Sequence, residues 1–209
     1  MDIDLISLLK YFNRKERFFL IGQALGNKDF KISEEFRDLI SKKIDIDIPQ
    51  DAFAAMDYHL DWIYASLYCA ERGATEFITE NPNKKLNSNQ EDVDFILAFE
   101  RDSIYHIILI EAKAETGWTN SQFLSKAERL KFVFGDDNYL WHNVKPYFLI
   151  TSPRKPVNLK LDALPTYLKR SMDDIWFQLN VPDYLIKITR CDETGRPSIV
   201  GNKWKVEQT

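Results

Sequence analysis

The chain has few of the residues that mark several common protein classes. Its 209 residues include two cysteines, Cys69 and Cys191, which are too few for a disulfide framework and favour a reducing, cytoplasmic compartment. Seven glycines leave little material for Gly-rich phosphate-binding loops. The motifs G-x-x-x-x-G-K-S/T, G-x-G-x-x-G and G-x-S-x-G do not occur. The sequence therefore does not indicate the usual nucleotide-binding or serine-hydrolase classes.

Long apolar runs and clustered metal ligands are also absent from the sequence. No apolar run approaches the ~18 residues that a membrane span requires, and the first residues lack the pattern of a secretory signal. The three histidines, His59, His106 and His142, have no Cys or His at ligand spacing. We therefore expect neither a membrane partner nor a zinc site.

The composition that remains is that of an ordinary globular protein. Hydrophobic residues make up 44% of the chain and charged residues 29%, and the length suffices for one domain with a sizeable core. The formal net charge of -4 argues against a protein that coats nucleic acid.

Apolar residues at helical spacing characterise the N-terminal part of the chain. Leu5, Leu8, Leu9 and Phe12 repeat at this spacing, residues 18–25 form a second apolar patch, and Ser33 is a plausible cap for a third helix. Pro49 interrupts the pattern. We predict an N-terminal helical region over residues 1–50, followed by a second domain over residues 51–209.

The second region alternates between helical and strand patterns. The spacing predicts helices over residues 52–70, 121–135 and 161–172, and strands over residues 75–79, 93–99, 104–112, 147–151 and 184–189. This order predicts a mixed α/β domain with helices packed on a central sheet.

Two of these strands place acidic residues together. If the turn between strands 93–99 and 104–112 centres near Asp102 and Ser103, paired residues have numbers that sum to about 205, so Asp94 lies opposite Glu111. Lys113 projects from the same face as Glu111, because side chains of a strand alternate. A shift of one residue would move Asp94 to the opposite face.

Two facing carboxylates repel each other unless a cation lies between them. Mg²⁺ is commonly held by one or two carboxylates together with water and phosphate oxygens. Such an ion generates a nucleophile from water, and a neighbouring lysine can stabilise charge on a phosphoryl group. The pattern is therefore suited to hydrolysing a phosphodiester.

At these positions the sequence resembles the PD-(D/E)XK nuclease superfamily, also called restriction-endonuclease-like. The resemblance rests on Asp94 in EDVDFILAF, on Glu111-Ala112-Lys113 at the end of the next strand, and on the order of elements over residues 52–151. It implies a restriction-endonuclease-like αβββαβ core, a mixed central sheet flanked by helices. No particular characterised family of that superfamily is indicated.

The resemblance also implies roles for individual residues. Asp94, Glu111 and the backbone carbonyl of Ala112 would bind Mg²⁺, with Mn²⁺ as the alternative ion, and Lys113 would assist the nucleophile. The expected substrate is DNA, with RNA as the alternative.

Members of this superfamily often carry further site residues on the flanking helices. Asp57 and Asp61 lie four residues apart, and so on one helical face, and are candidates on the preceding helix. We prefer Asp61, next to Trp62, as a metal ligand. Gln122 and Lys126, also four residues apart, are candidates on the following helix, and we assign Gln122 a catalytic role.

Some features leave alternatives open. Val93 stands where the superfamily motif has proline, and Asp92 competes with Asp94, which we prefer because an uninterrupted strand follows it and the hairpin register favours it. A Glu-x-Lys pair alone is usually an exposed ion pair. The same fold could therefore serve nucleic-acid binding or protein assembly without turnover. The apolar stripes of the N-terminal helices also offer a surface for a homodimer.

Overall fold

The computed structural model describes residues 4–73, 78–81, 84–86, 91–114, 118–136, 140–182 and 184–208. The N-terminal part is helical, as predicted, and comprises α1 (Leu5–Phe12), α2 (Glu16–Ala24) and α3 (Glu34–Ile44). Ser33 caps α3, because its side chain accepts a hydrogen bond from the backbone N–H of Phe36.

The predicted helix over residues 52–70 is wrong for its first part and confirmed for its second. Residues Phe53–His59 form strand β1, and helix α4 begins only at Leu60 and ends at Arg72. The apolar residues Leu60, Ile63 and Leu67 do share the buried face of α4. The preceding residues are extended because they pair along β2, so sheet formation overrides their helical spacing.

Five strands form a mixed sheet in the order β1-β2-β3-β4-β5. The remaining strands of this sheet are β2 (Asp92–Arg101), β3 (Ile104–Ala112), β4 (Val144–Ser152) and β5 (Trp176–Gln178). Neighbours pair antiparallel from β1 to β3 and parallel from β3 to β5. Helix α5 (Asn120–Phe134) connects β3 to β4. The predicted α/β class, a mixed sheet flanked by helices, is confirmed.

The hairpin between β2 and β3 turns where the sequence predicted. Arg101 pairs with Ile104, and the two residues between them, Asp102 and Ser103, have φ angles of 53° and 61°. Positive φ at both central residues is what a type I′ hairpin turn requires. The paired residues consequently have numbers that sum to 205, the register on which the site prediction depends.

Helices cover both faces of the sheet. On one face Leu9 of α1, Leu67 of α4 and Phe123 of α5 belong to a single apolar cluster with the sheet. On the other face Ile40 of α3 packs with Leu97 of β2. The N-terminal helices thus share their hydrophobic cores with the sheet, and the division of the chain at residue 50 stays a prediction.

The C-terminal part departs from the sequence prediction. In place of a helix over residues 161–172, short 3₁₀ turns form at Leu161–Ala163 and Thr166–Leu168, followed by α6 at Met172–Ile175. Pro165 lies between the two turns and cannot donate the backbone hydrogen bond that a continuous helix needs there. Most of the predicted strand over residues 75–79 lies outside the described residues.

The last predicted strand exists but does not join the central sheet. β6 (Ile186–Cys191) pairs antiparallel with β7 (Lys203–Gln208) in a separate two-stranded sheet. Among the helices that the structure describes, none has the length and apolar character needed to cross a membrane.

Candidate active site

The candidate site lies where β2 and β3 separate. Their pairing runs from Arg101 and Ile104 to Phe95 and Ile110. Asp94, the next residue of β2, accepts a hydrogen bond from the backbone N–H of Ala112 through Oδ2 at 2.6 Å. The Asp94 carboxylate thus satisfies a backbone donor of β3 at the end of the paired strands, and extending the register by one residue places Asp94 opposite Glu111.

Glu111 is a buried carboxylate at this position, with only 7% of its surface exposed. Burial raises its pKa from 4.5 to about 7, and the negative charge of Asp94 adds to this effect. The cation of Lys126 acts in the opposite direction and lowers the pKa. Burial therefore disfavours the ionised form of Glu111 to an extent that the charge of Lys126 only partly offsets.

Lys126 is the closest cation to this carboxylate. Its Nζ lies 2.7 Å from Oε1 of Glu111 and donates a hydrogen bond of 2.6 Å to the backbone carbonyl of Asp92. A second carboxylate, that of Glu91, lies 3.7 Å away. Lys126 thus joins α5 to the end of β3 and to the start of β2.

An open depression of about 430 Å³ borders the carboxylates. Its wall combines cations, hydroxyl groups, an amide and an indole, and the lining residues are Glu91, Glu111, Lys113, Trp118, Ser121, Gln122, Ser125 and Lys126. The Lys113 ammonium lies 5.8 Å from the centre of the Trp118 ring, within the range of a cation–π contact. The structure therefore brings Glu111, Lys113 and Gln122 to one depression.

The backbone of Ala112 is oriented toward Asp94. Its N–H donates to the Asp94 carboxylate, whereas the N–H of the next residue, Lys113, donates to Thr151 on β4. In a strand the N–H and C=O of one residue point to the same side. The carbonyl of Ala112 therefore also points toward β2, and its role as a metal ligand stays a prediction.

Asp57 and Asp61 do not share a helical face, in contrast to the sequence prediction. Asp57 lies in β1, has a positive φ of 50° and forms an ion pair of 3.2 Å with Arg17. Asp61 lies in the first turn of α4 and forms an ion pair with Arg129 of α5, which is 7% exposed. The metal role of Asp61 stays a prediction, and Arg129 competes for its carboxylate.

Asp92, the alternative to Asp94, has two other partners. Its carboxylate lies 2.6 Å from Nζ of Lys15 and 2.6 Å from Nδ1 of His59. This arrangement supports the choice of Asp94, whose carboxylate reaches the backbone beside Glu111. His59 has no Cys or His at ligand spacing, and no local pattern in the sequence indicated that it pairs with Asp92.

The donor atoms at this position are those that Mg²⁺ prefers. Asp94, Glu111 and the Ala112 carbonyl offer hard oxygen atoms on adjacent strands, and Mg²⁺ usually keeps several water ligands in addition. Within the described ranges, no group of three or more His, Cys, Asp or Glu side chains is placed to hold a metal ion. Asp94 and Glu111 are two carboxylates rather than three, and Lys126 already balances the charge of Glu111.

Lys126 is the residue whose importance the sequence prediction underrated. Gln122 and Lys126 were candidates because they lie four residues apart on one helix, and both line the depression. Only Lys126 makes an ion pair with Glu111. A long basic side chain one helical turn after Gln122 was the available signal.

Comparison with known proteins identifies no relative. No family model matches the chain, and neither a curated protein nor a solved structure is significantly similar to it.

Proposed function

We propose that the protein is a metal-dependent nuclease that hydrolyses phosphodiester bonds, with DNA as its substrate. The observation that carries this proposal is the position of Asp94 beside buried Glu111, at the point where β2 and β3 separate and next to Lys113. The resemblance of these residues to the PD-(D/E)XK pattern supports the same chemistry.

Each residue has a defined part in this proposal. Asp94, Glu111 and the Ala112 carbonyl would hold Mg²⁺, with Mn²⁺ as the alternative ion. A bound Mg²⁺ would polarise the phosphate and lower the pKa of water. Lys113 would orient the attacking water and stabilise negative charge on the phosphoryl oxygens. Gln122, which lines the same depression from α5, would orient the substrate.

The charge of the site supports a polyanionic substrate. Lys113 and Lys126 face the same depression, where they can offset the charge of a phosphate approaching two carboxylates. DNA is the substrate that we propose, and RNA is the alternative that a substrate panel distinguishes.

The test is a cleavage assay with linear, circular, single-stranded and double-stranded DNA and with RNA, in Mg²⁺, Mn²⁺ or EDTA. We expect metal-dependent cleavage that falls at least on the order of 100-fold in Asp94→Asn and Lys113→Ala. The matched control is Lys131→Ala. Lys131 is a lysine of α5, like Lys126, but it pairs with Asp136 and not with a carboxylate of the site. A folded protein that cleaves none of these substrates would contradict the proposal.

One observation favours a second candidate function, a nuclease-fold domain that binds nucleic acid or supports assembly without turnover. Lys126 already balances the charge of Glu111, so the buried carboxylate has a partner without a metal ion. Binding of DNA that weakens with salt but does not change with Mg²⁺ or EDTA, in the absence of cleavage, would favour this alternative.

A further inference from the structure

The hairpin formed by β6 and β7 exposes an apolar face. Ile188 pairs with Val206 across the hairpin, and their exposures are 70% and 52%. Ile186 and Trp204 lie two residues away from this pair on the same face, with exposures of 57% and 67%. Contiguous exposed apolar side chains of this kind usually mark an interaction surface.

Within the described part of the chain, this hairpin packs mainly on itself. The sheet contains two strands, and β6 and β7 pack mainly on each other. An isolated two-stranded hairpin is marginally stable in water, whereas a sheet of three or more strands with an apolar face can be stable. The hairpin therefore lacks a third strand.

The two edges of the hairpin differ. The outer edge of β6 is partly covered, because Ser198 donates its backbone N–H to the carbonyl of Arg190, and Asp192 donates to Arg196. No strand among the described residues pairs with the outer edge of β7. The open edge of a strand is a template for pairing with another chain.

We propose that a second copy of this chain pairs with β7, antiparallel and edge to edge, with Val206 opposite Val206 of the second copy. Lys205 and Glu207 form an ion pair of 2.6 Å within one chain. In this register Lys205 also lies opposite Glu207 of the second copy, so the two-fold symmetry brings two such pairs together with unlike charges facing each other. Opposite charges across neighbouring strands stabilise pairing, and like charges destabilise it.

Charge repulsion disfavours the alternative register in which the two-fold axis is shifted by one residue along β7. An axis through Lys205 would place the two Lys205 side chains opposite each other, which is unfavourable. The axis through Val206 avoids this contact and joins the exposed apolar side chains of both copies. Trp204 then lies diagonally across from Val206 of the second copy, a separation that aromatic side chains span.

The joined sheet has four strands in the order β6-β7-β7-β6. It therefore has more than the three strands that a stable sheet needs, which the single hairpin does not have. Ile188, Val206 and the same residues of the second copy form one continuous apolar face. The proposal concerns assembly and holds whether or not the protein cleaves nucleic acid.

The first test is a cysteine cross-link in the full chain. Val206→Cys places two thiols opposite each other across the symmetry axis, at the separation of directly opposed side chains in a sheet, which a short bifunctional maleimide spans. Cys69→Ser provides the background, since the remaining Cys191 is buried. The matched control is Ile199→Cys, which is 92% exposed in the loop between β6 and β7 but lies off the β7 edge. We expect this cross-linker to join about tenfold more of the Val206→Cys protein than of the Ile199→Cys protein.

The second test is the mass in solution, measured by light scattering over a range of protein concentrations. We expect a mass about twice the 24.6 kDa of the chain at high concentration. Val206→Lys should shift the protein to the monomer, whereas Ile199→Lys should not, with circular dichroism confirming that both fold. A monomer at every concentration, a dimer unaffected by Val206→Lys, or equal cross-linking of the two cysteine variants would overturn the proposal.

Discussion

Nζ of Lys126 lies 2.7 Å from Oε1 of Glu111, and both side chains are almost completely buried. The ion pair joins α5 to the C-terminal end of the central strand β3, near which Asp94 and Lys113 are located. It compensates the charge of a carboxylate that burial would otherwise disfavour. The stability, pH dependence and metal response of the protein should therefore all depend on this pair.

Replacing Lys126 should destabilise the fold in a pH-dependent manner. In Lys126→Met, Glu111 loses its cation, and removing one partner of a buried pair costs about 3–5 kcal/mol when the other stays ionised. The loss should be smaller at pH 6 than at pH 8.5, because Glu111 is protonated at the lower pH. Urea unfolding at both pH values measures this. Lys131→Met, on the same helix but 35% exposed at its side chain, is the control. Equal losses at both pH values would contradict the prediction.

Deprotonation of Glu111 should lower the free energy of unfolding as the pH rises. Its pKa is about 7 in the folded protein against 4.5 as the ordinary value, so the folded state holds a proton that the unfolded state releases between these pH values. Unfolding free energy in EDTA should therefore decrease from about pH 4.5 to pH 7, relative to Glu111→Gln, and level off above. The expected difference is on the order of 3 kcal/mol. A constant difference between the two proteins from pH 4.5 to pH 8 would refute the shift.

Asp94 has a structural role, since it accepts the hydrogen bond of the Ala112 N–H, and a proposed chemical role as a metal ligand. Two substitutions of Asp94 distinguish these roles. Asp94→Ala leaves the Ala112 N–H without its acceptor and should cost about 1–3 kcal/mol of stability. Asp94→Asn keeps an oxygen that can accept this bond, so it should cost less. Under the proposed function both variants lose metal-dependent cleavage. Chemical denaturation and the cleavage assay, run on the same preparations, test the two roles separately.

Metal binding should compete with the proton on Glu111. A divalent cation on Asp94 and Glu111 favours the ionised carboxylate, so Mg²⁺ or Mn²⁺ should raise the melting temperature more at pH 8 than at pH 6. The increase should vanish in Glu111→Gln and persist in Lys131→Met. Differential scanning calorimetry with and without EDTA provides the comparison. A metal response that survives in Glu111→Gln would place the ion elsewhere.

The ion pair between Asp61 and Arg129 should be structural. In Asp61→Asn the buried guanidinium loses its carboxylate, and we expect stability to fall by about 3 kcal/mol. Glu128→Gln, an exposed carboxylate on α5, is the control for loss of a single negative charge. Measuring Mn²⁺ affinity of both variants also tests the predicted ligand role of Asp61, which a selective loss of affinity in Asp61→Asn would support.

The hairpin around Asp102 and Ser103 shows what local sequence can determine. Two apolar strands of matching length and a polar turn between them set the register, so the level of Asp94 and Glu111 could be predicted without a structure. Ser33 and the helical spacing of the first 47 residues likewise made the N-terminal helices predictable, since capping and periodicity are local properties.

Other parts of the fold depended on distant residues. Phe53–His59 has a pattern compatible with a helix, and its pairing with β2 made it a strand. That change removed Asp57 from the helical face shared with Asp61. The last predicted strand is not part of the central sheet, because it pairs with β7 in a separate sheet. Such pairings depend on residues that are distant in the sequence. The spacing of apolar residues within a short segment does not indicate which distant segment will pair with it.

The sequence by itself therefore determined the chemistry available at the site: Asp94, Glu111 and Lys113 at the ends of two adjacent strands. Only the tertiary structure decided the state of those groups. The packing of α5 against the sheet buries Glu111, raises its pKa to about 7 and places Lys126 beside it. Burial and charge compensation arise from elements that meet in space, and for this reason they become visible only once the chain is folded.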